Sequence, residues 1–325
     1  MPGLPSHSAA PWRAALATLA PVLTLLSGAC AWATESAGTN AALGATSFGT
    51  PVFPDPGLYG SWYTAIYSTS RLNGADARQA SPNATGSYQV QYGYLTYVAP
   101  FSVGDWRFGA GAVVSHGRAS ADVADLGASQ KVSGWGDTLV QPLIVGRRIG
   151  DFHMALAQGF IAPTGHYQAG DLVSIGRNVW SSSSQLSLGW IPPKGVEATA
   201  TLTYIRSGTN RKAKTSPQNP LGKPYRSGDE FAVDFALGYN FTTAFELGLA
   251  GYFYRQISDD RIADPDSNAD LRANFGGYRG AALAIGPAVR YLSPMGELFL
   301  QIQREVRTTN RTQGNAVWAR WNFKF

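Results

Sequence analysis

The last nine residues, 317–325, constrain the fold most, because they alternate strictly between apolar and polar side chains. Val317, Ala319, Trp321, Phe323 and Phe325 share one parity, and Trp318, Arg320, Asn322 and Lys324 share the other. A strand has a side-chain period of two, so one face is apolar and aromatic and the other is largely charged or amide. In a water-soluble sheet the apolar face packs inward. In an outer-membrane barrel it meets lipid, and the polar set lines a wet lumen. A strand ending on an aromatic residue has the form of a closing barrel strand, and Phe325 is then the expected handle for the barrel-assembly machinery.

The other end of the chain points to the same compartment. Residues 1–33 carry one charged side chain, Arg13, then an apolar stretch from Ala14 to Leu26 and a small-x-small site at Ala31-Trp32-Ala33. This is the pattern of a secretory signal peptide. The apolar stretch is too short for a helical span, which needs about twenty residues. Leu26-Ser27-Gly28-Ala29-Cys30 comes close to a lipobox, with its leucine one position too far from the cysteine; ordinary cleavage after Ala33 is the expectation. Cys30 is the one cysteine, so cleavage leaves no thiol for a nucleophile or a thiolate metal site. Residues 34–56 are small, glycine- and proline-rich and too short for a plug domain. Nothing in their sequence chooses between the lumen and the periplasm.

The spacing of the remaining segments gives the architecture. Alternating segments occur at 58–70, 87–99, 105–118, 135–149, 152–162 and 181–190, then at 196–206, 229–240, 244–256, 279–291, 296–307 and 315–325. Their links alternate: short ones built from turn formers such as Pro192-Pro193-Lys194-Gly195 or Ser293-Pro294-Met295-Gly296, and long ones at 71–86, 119–134, 163–180, 207–228, 257–278 and 308–314. Short periplasmic turns and long outer loops are the rule for outer-membrane barrels, and an even strand number returns both ends to the periplasm. The expected fold is therefore all-β: an antiparallel transmembrane barrel of about twelve strands over 57–325. With 24 Tyr and Trp residues the chain has material for interfacial girdles, and its charged fraction is only 14%. Without Arg13 there are 25 basic and 21 acidic residues, an excess too dispersed for nucleic acid and more natural for membrane lipid and lipopolysaccharide.

Charge recurs on one parity within strands. Glu197, Glu230, Asp234, Glu246 and Arg290 alternate with apolar neighbours, as do Glu297, Glu305, Arg320 and Lys324. A charge facing lipid at the midplane costs about 2–4 kcal/mol, so these residues are assigned to the lumen. Arg147 and Arg148 break the rule at the end of 135–149. Pro142 and Pro287 cannot donate to a ladder, so they mark bulges or kinks, or a misassigned strand.

The residues also carry a resemblance. Asp55-Pro56-Gly57-Leu58-Tyr59, Gly134-Trp135-Gly136-Asp137, Pro142 and Pro163-Thr164-Gly165-His166-Tyr167 occur in order. Asn178, Trp180, Tyr225-Arg226-Ser227-Gly228-Asp229, Gln256, Asp259-Asp260 and Ile285-Gly286-Pro287 follow. Together they resemble the meta-pathway phenol-degradation (SphA-like) family of proteobacterial outer-membrane proteins. The resemblance implies a barrel found beside aromatic-degradation genes that admits small hydrophobic compounds. It does not imply catalysis.

Residue chemistry adds little for an enzyme. His7 is lost with the signal, and His116, His153 and His166 are followed two residues on by Arg118, Ala155 and Gln168, so no His-x-Ser pair exists. Asp259 and Asp260 are adjacent and face opposite ways on a regular strand, as a solvated acidic loop or, more weakly, a calcium loop. No metal cluster or other cofactor site has sensible spacing. The expectation is a passive channel. Glu197, Glu230, Asp234, Glu246, Tyr252, Arg290, Arg320 and Lys324 set its lumen, and Trp180, Tyr225, Arg211, Lys212, Asp259 and Asp260 lie at its mouth. The basic loop 207–228 and the acidic loop 257–278 either pair over the mouth or remain separate and solvated. A structural barrel without transport is the alternative, and a lipid-active enzyme the third reading.

Overall fold

The computed structural model describes residues 39–325 apart from 82, 125–126 and 217–218; the signal segment 1–33 lies outside them. In chain order the strands are β1 (Gly57–Asn73), β2 (Gln79–Ser81), β3 (Ala84–Val103), β4 (Trp106–Val123), β5 (Ala128–Trp135), β6 (Thr138–Ile149), β7 (Phe152–Ala162) and β8 (Ser181–Trp190). They continue with β9 (Gly195–Ser207), β10 (Tyr225–Arg226), β11 (Glu230–Asn240), β12 (Phe245–Gln256) and β13 (Arg261–Ile262). One helix, α1 (Pro265–Phe275), precedes β14 (Ala281–Ser293), β15 (Gly296–Thr309) and β16 (Arg311–Lys324).

Twelve of these strands pair antiparallel with their sequence neighbours, and β1 pairs with β16 from Tyr59↔Lys324 to Asn73↔Arg311, closing the barrel. In hydrocarbon every unpaired backbone group costs several kcal/mol, so closure is what permits a sheet to span at all. The facing follows the pattern: Leu237, Leu247, Leu249, Leu300 and Ile302 are exposed on the outside, while Glu197, Glu230, Glu246, Gln301 and Gln303 are buried inside. Two-residue turns at Gly104-Asp105 and Gly150-Asp151 join the strands at the periplasmic end. Gly104 and Gly150 take φ of 56° and 61°, the left-handed conformation that tight hairpins require.

Two expected loops are strand. Residues 119–134 continue β4 into a β4–β5 hairpin, registered from His116↔Trp135 to Val123↔Ala128. Ala119, Ala121 and Val123 keep the inward parity there. At 308–314, β15 and β16 run on to a turn at Asn310 (φ 49°), because Thr308, Thr309 and Thr312 favour extended backbone.

Pro142 occupies a bulge: the β4–β6 register shifts between Gly109 and Gly111, and the β6–β7 register between Val140 and Leu143. Pro287 causes no shift. It pairs with Leu249 in register, and the β14–β15 ladder skips Gly286 and Pro287 before resuming at Ala288↔Gln301. Arg147 and Arg148 serve the periplasmic turns: Arg147 pairs with Asp105 at 2.9 Å, and Arg148 donates to the Gly150 carbonyl at 2.7 Å.

Leu249 is 48% exposed at mid-strand on the lipid face. Leu249→Arg should destabilise the barrel by about 2–4 kcal/mol, and urea unfolding in lipid vesicles measures the loss.

Candidate functional site

The barrel interior is divided. Residues 39–50 run inside it mainly against β9, β11, β12, β14 and β15, and 51–54 cross to β8, β6 and β4, with Phe48 fully buried between Ala236, Ala250, Ala288 and Phe299. This segment has no sheet partner, so its backbone needs acceptors from the wall. Asp234 supplies two: one carboxylate oxygen accepts Gly44 N–H at 3.0 Å, and the other accepts Thr46 N–H at 3.1 Å and the Thr46 hydroxyl at 2.8 Å. Glu197 accepts Gly49 N–H at 2.7 Å, and Glu230 accepts from the Thr39 hydroxyl and from Tyr254. From the barrel, Gln301 donates to the Gly44 carbonyl and Arg320 to that of Phe48. Gly44 (φ 74°) is required here, since a Cβ would meet the Gln303 side chain.

Beneath the segment, Arg290 is enclosed by acids and an amide. It reaches Glu246 at 3.0 Å, Glu197 at 3.6 Å and the Asn240 carbonyl oxygen at 2.7 Å. Glu197, Glu230, Asp234 and Glu246 thus point inward, but they hold the N-terminal segment and Arg290 rather than border open space.

The open half is a cavity of about 930 Å³ between the segment and the opposite wall. Tyr63, Tyr67, Tyr88, Tyr92, Tyr94 and Trp318 line it, with Tyr92 and Trp318 stacked at 5.8 Å. Tyr252 borders it and donates to Glu305 at 2.7 Å; Arg320 and Lys324 complete its β16 side. Tyr63, Tyr67, Tyr88, Tyr92 and Tyr94 lie outside the expected site, which takes Tyr252, Tyr225 and Trp180 while the Tyr and Trp content as a whole reads as material for girdles. Their shared parity on β3 (Tyr88, Tyr92, Tyr94) is the signal that would have found them. Trp62, Trp135, Trp190 and Trp321 do face outward.

Three outer loops lie at the barrel end opposite the periplasmic turns, and residues of 163–180 border the cavity. In 163–180, the Gly165 and Arg177 amides donate to the two oxygens of Asp137 at 2.9 and 2.7 Å. Loops 207–228 and 257–278 do join, by strand pairing of β10 with β13 and by Asp260. Asp260 is 3% exposed and accepts from Tyr225, from Gly228 N–H at 2.7 Å and from Gln256 at 2.7 Å. The solvated acidic loop therefore does not describe Asp260. Asp259 faces the other way, to Arg272 at 3.4 Å within its own loop and to Arg279 at 2.7 Å just past it. Tyr225 is buried with Ala213, Ile262, Leu271 and Tyr278 in a small core, so it braces the cap instead of meeting ligand. Trp180, Arg211 and Lys212 are exposed and do not border the cavity. Asp264 caps α1, and its bonds from the Ser267 hydroxyl and N–H hold its carboxyl below the usual range.

The sequence matches the family described as "Putative MetA-pathway of phenol degradation" over residues 55–321. The chain belongs to this family. Among solved structures, an outer membrane channel from Pseudomonas putida F1 is similar at 15% identity, with a TM-score of 0.71 over 84% of this chain and 97% of that one. The β domain of the Bordetella autotransporter BrkA is 13% identical, with a TM-score of 0.48 over 82% of this chain and 99% of that one. A Pseudomonas aeruginosa FadL homologue is 10% identical, with a TM-score of 0.42 over 92% and 97%. Identity this low speaks to the fold alone. No curated protein matches the sequence. Family membership and the closed barrel place the protein in the bacterial outer membrane. Many of the motifs that carry the resemblance turn out to be loop clamps: Asp137 with Gly165, Gly228 with Asp260, and Asp229 with Tyr204 at 2.8 Å.

Asp234→Ala removes three bonds to the lumenal segment, so single-channel conductance in planar bilayers should rise; unchanged conductance would mean that Phe48 and Glu197 suffice to seat it. Asp260→Ala should loosen the joined loops, seen as faster proteolytic cleavage within 207–228.

Proposed function

We propose that this barrel is a passive channel for small, mainly hydrophobic aromatic compounds. The carrying observation is the tyrosine- and tryptophan-walled cavity beside the lumenal segment. Ring faces attract other rings in offset or edge-on geometry, worth about 0.5–1.5 kcal/mol per pair beyond burial, which binds a small aromatic without trapping it. The phenolic hydroxyls of Tyr67 and Tyr94 are held by Glu305 and Gln141 at 2.8 and 2.7 Å, which orients their rings. The lumenal segment narrows the path and excludes larger solutes. Family membership in a phenol-degradation pathway supports the same substrate class. His116 packs edge-on against Trp135 at 5.3 Å, His166 lies 3.8 Å from Asp171, and neither borders the cavity.

A second reading, a structural barrel without transport, draws on the half-filled lumen and the sealed Arg290 cluster. Uptake of labelled phenol, toluene and a long-chain fatty acid by cells with and without the protein separates the two. The channel reading expects slower entry of phenol or toluene without the protein, restored on re-expression. Equal entry of all three compounds would favour the structural barrel.

A further inference from the structure

We infer that the open half of the lumen selects aromatic molecules bearing a negative charge, a carboxylate or sulfonate on the ring, over cationic ones. The inference rests on the channel reading above and narrows its substrate class. Its basis is an excess of cations over acids along the cavity wall, five to three.

Glu197, Glu230, Asp234 and Glu246 are drawn toward residues 39–49 and Arg290, and none borders the cavity. The cations that do border it are Arg177, Arg290, Arg311, Arg320 and Lys324. Arg290 is matched by Glu197 and Glu246; the other four enter no ion pair among the described residues. Three acids also border it, Asp137, Glu297 and Glu305, each holding hydrogen-bond donors of the wall while keeping its charge. Asp137 accepts the Gly165 and Arg177 amides. Glu305 accepts the Tyr67 and Tyr252 hydroxyls and Gly314 N–H, and Glu297 accepts from Asn322 at 3.3 Å.

Two of the free cations are built into the wall. Arg311 and Arg320 are each 7% exposed. Arg311 lies 4.4 Å from the Tyr254 ring, and its Nε and Nη1 have no hydrogen-bond partner. Arg320 lies 3.6 Å from the Phe299 ring and gives one amino group to the Phe48 carbonyl, leaving Nε without a partner. Neither guanidinium has a carboxylate at ion-pair distance among the described residues, although Glu305 lies near enough to act on the charge of Arg311, and the planar fork of each matches a carboxylate. Three of the cations also follow one strand. On β16, Arg311 sits opposite Asn73, Arg320 opposite Tyr63 and Lys324 opposite Tyr59. Tyr67 and Trp318 fill the interval between Arg311 and Arg320. A ring with one anionic group meets charge at both ends and aromatic wall between them.

Benzenesulfonate and benzyltrimethylammonium, permanently charged rings of opposite sign, test this in planar bilayers holding the full-length protein. Reversal potentials give the permeability of the first relative to chloride and of the second relative to sodium. The anion should be favoured about tenfold, the low end of what a charged cleft does for its counter-ions. Arg311→Gln and Arg320→Gln should bring the preference toward unity, and Arg311→Lys should retain it. If the buried variants fail to fold, the exposed Lys324→Gln gives the same reading with a smaller drop. Equal permeability, or preference for the cation, would overturn the inference while leaving a working channel. No current with either salt, together with no entry of neutral phenyl glucoside into proteoliposomes, would remove the channel reading and this inference with it.

Discussion

The seam between β1 and β16 is the contact on which the rest of the structure depends. Its ladder runs from Tyr59↔Lys324 to Asn73↔Arg311, and without it two edges would stand unpaired in hydrocarbon. Closure also fixes what inside means. Once the sheet is a cylinder, the period of two sends Leu247 and Leu249 to lipid and Glu246 to the lumen, with no further information needed.

The lumen then faces a problem of its own. Its inward carboxylates need donors, and the N-terminal segment brings unpaired amides to them. Asp234, Glu197 and Glu230 meet Gly44, Thr46, Gly49 and Thr39, so two sets of unsatisfied groups cancel each other. The segment's small residues let it lie close to β11 and β15, while Phe48 fills the space left by Ala236, Ala250 and Ala288. What remains open is the side where β1 and β3 present tyrosines.

The barrel was legible because its signal is periodic and local. All twelve wall strands appear where the alternation places them, and the inward charges have the facing that their parity requires. The misses have physical reasons. Residues 39–56 lack periodicity, and their position is decided by partners about 150 to 190 positions away, such as Glu197 and Asp234. The β4–β5 hairpin was hidden because small residues, Ala119 and Ala121, carry weak contrast. Asp260 looks solvated as one of several loop acids, yet Tyr225 and the Gly228 amide bury it. Composition marks tyrosine as interfacial; only its parity on β3 reveals the lumenal set.

The placement of residues 39–56 has a consequence for assembly. The segment precedes β1 in the chain, yet the acceptors for Gly44, Thr46 and Gly49 lie on β11 and β9 and the pocket for Phe48 on β11, β12, β14 and β15, so this part of it cannot be seated until most of the wall has formed. The seam that joins β1 to β16 lies immediately beside it in sequence. The residues made early are therefore seated late, and the last strand closes around an interior that the first residues must already be entering. Folding of this barrel is a threading problem as much as a pairing problem, with the order of events set by where the acceptors for Gly44 and Gly49 reside.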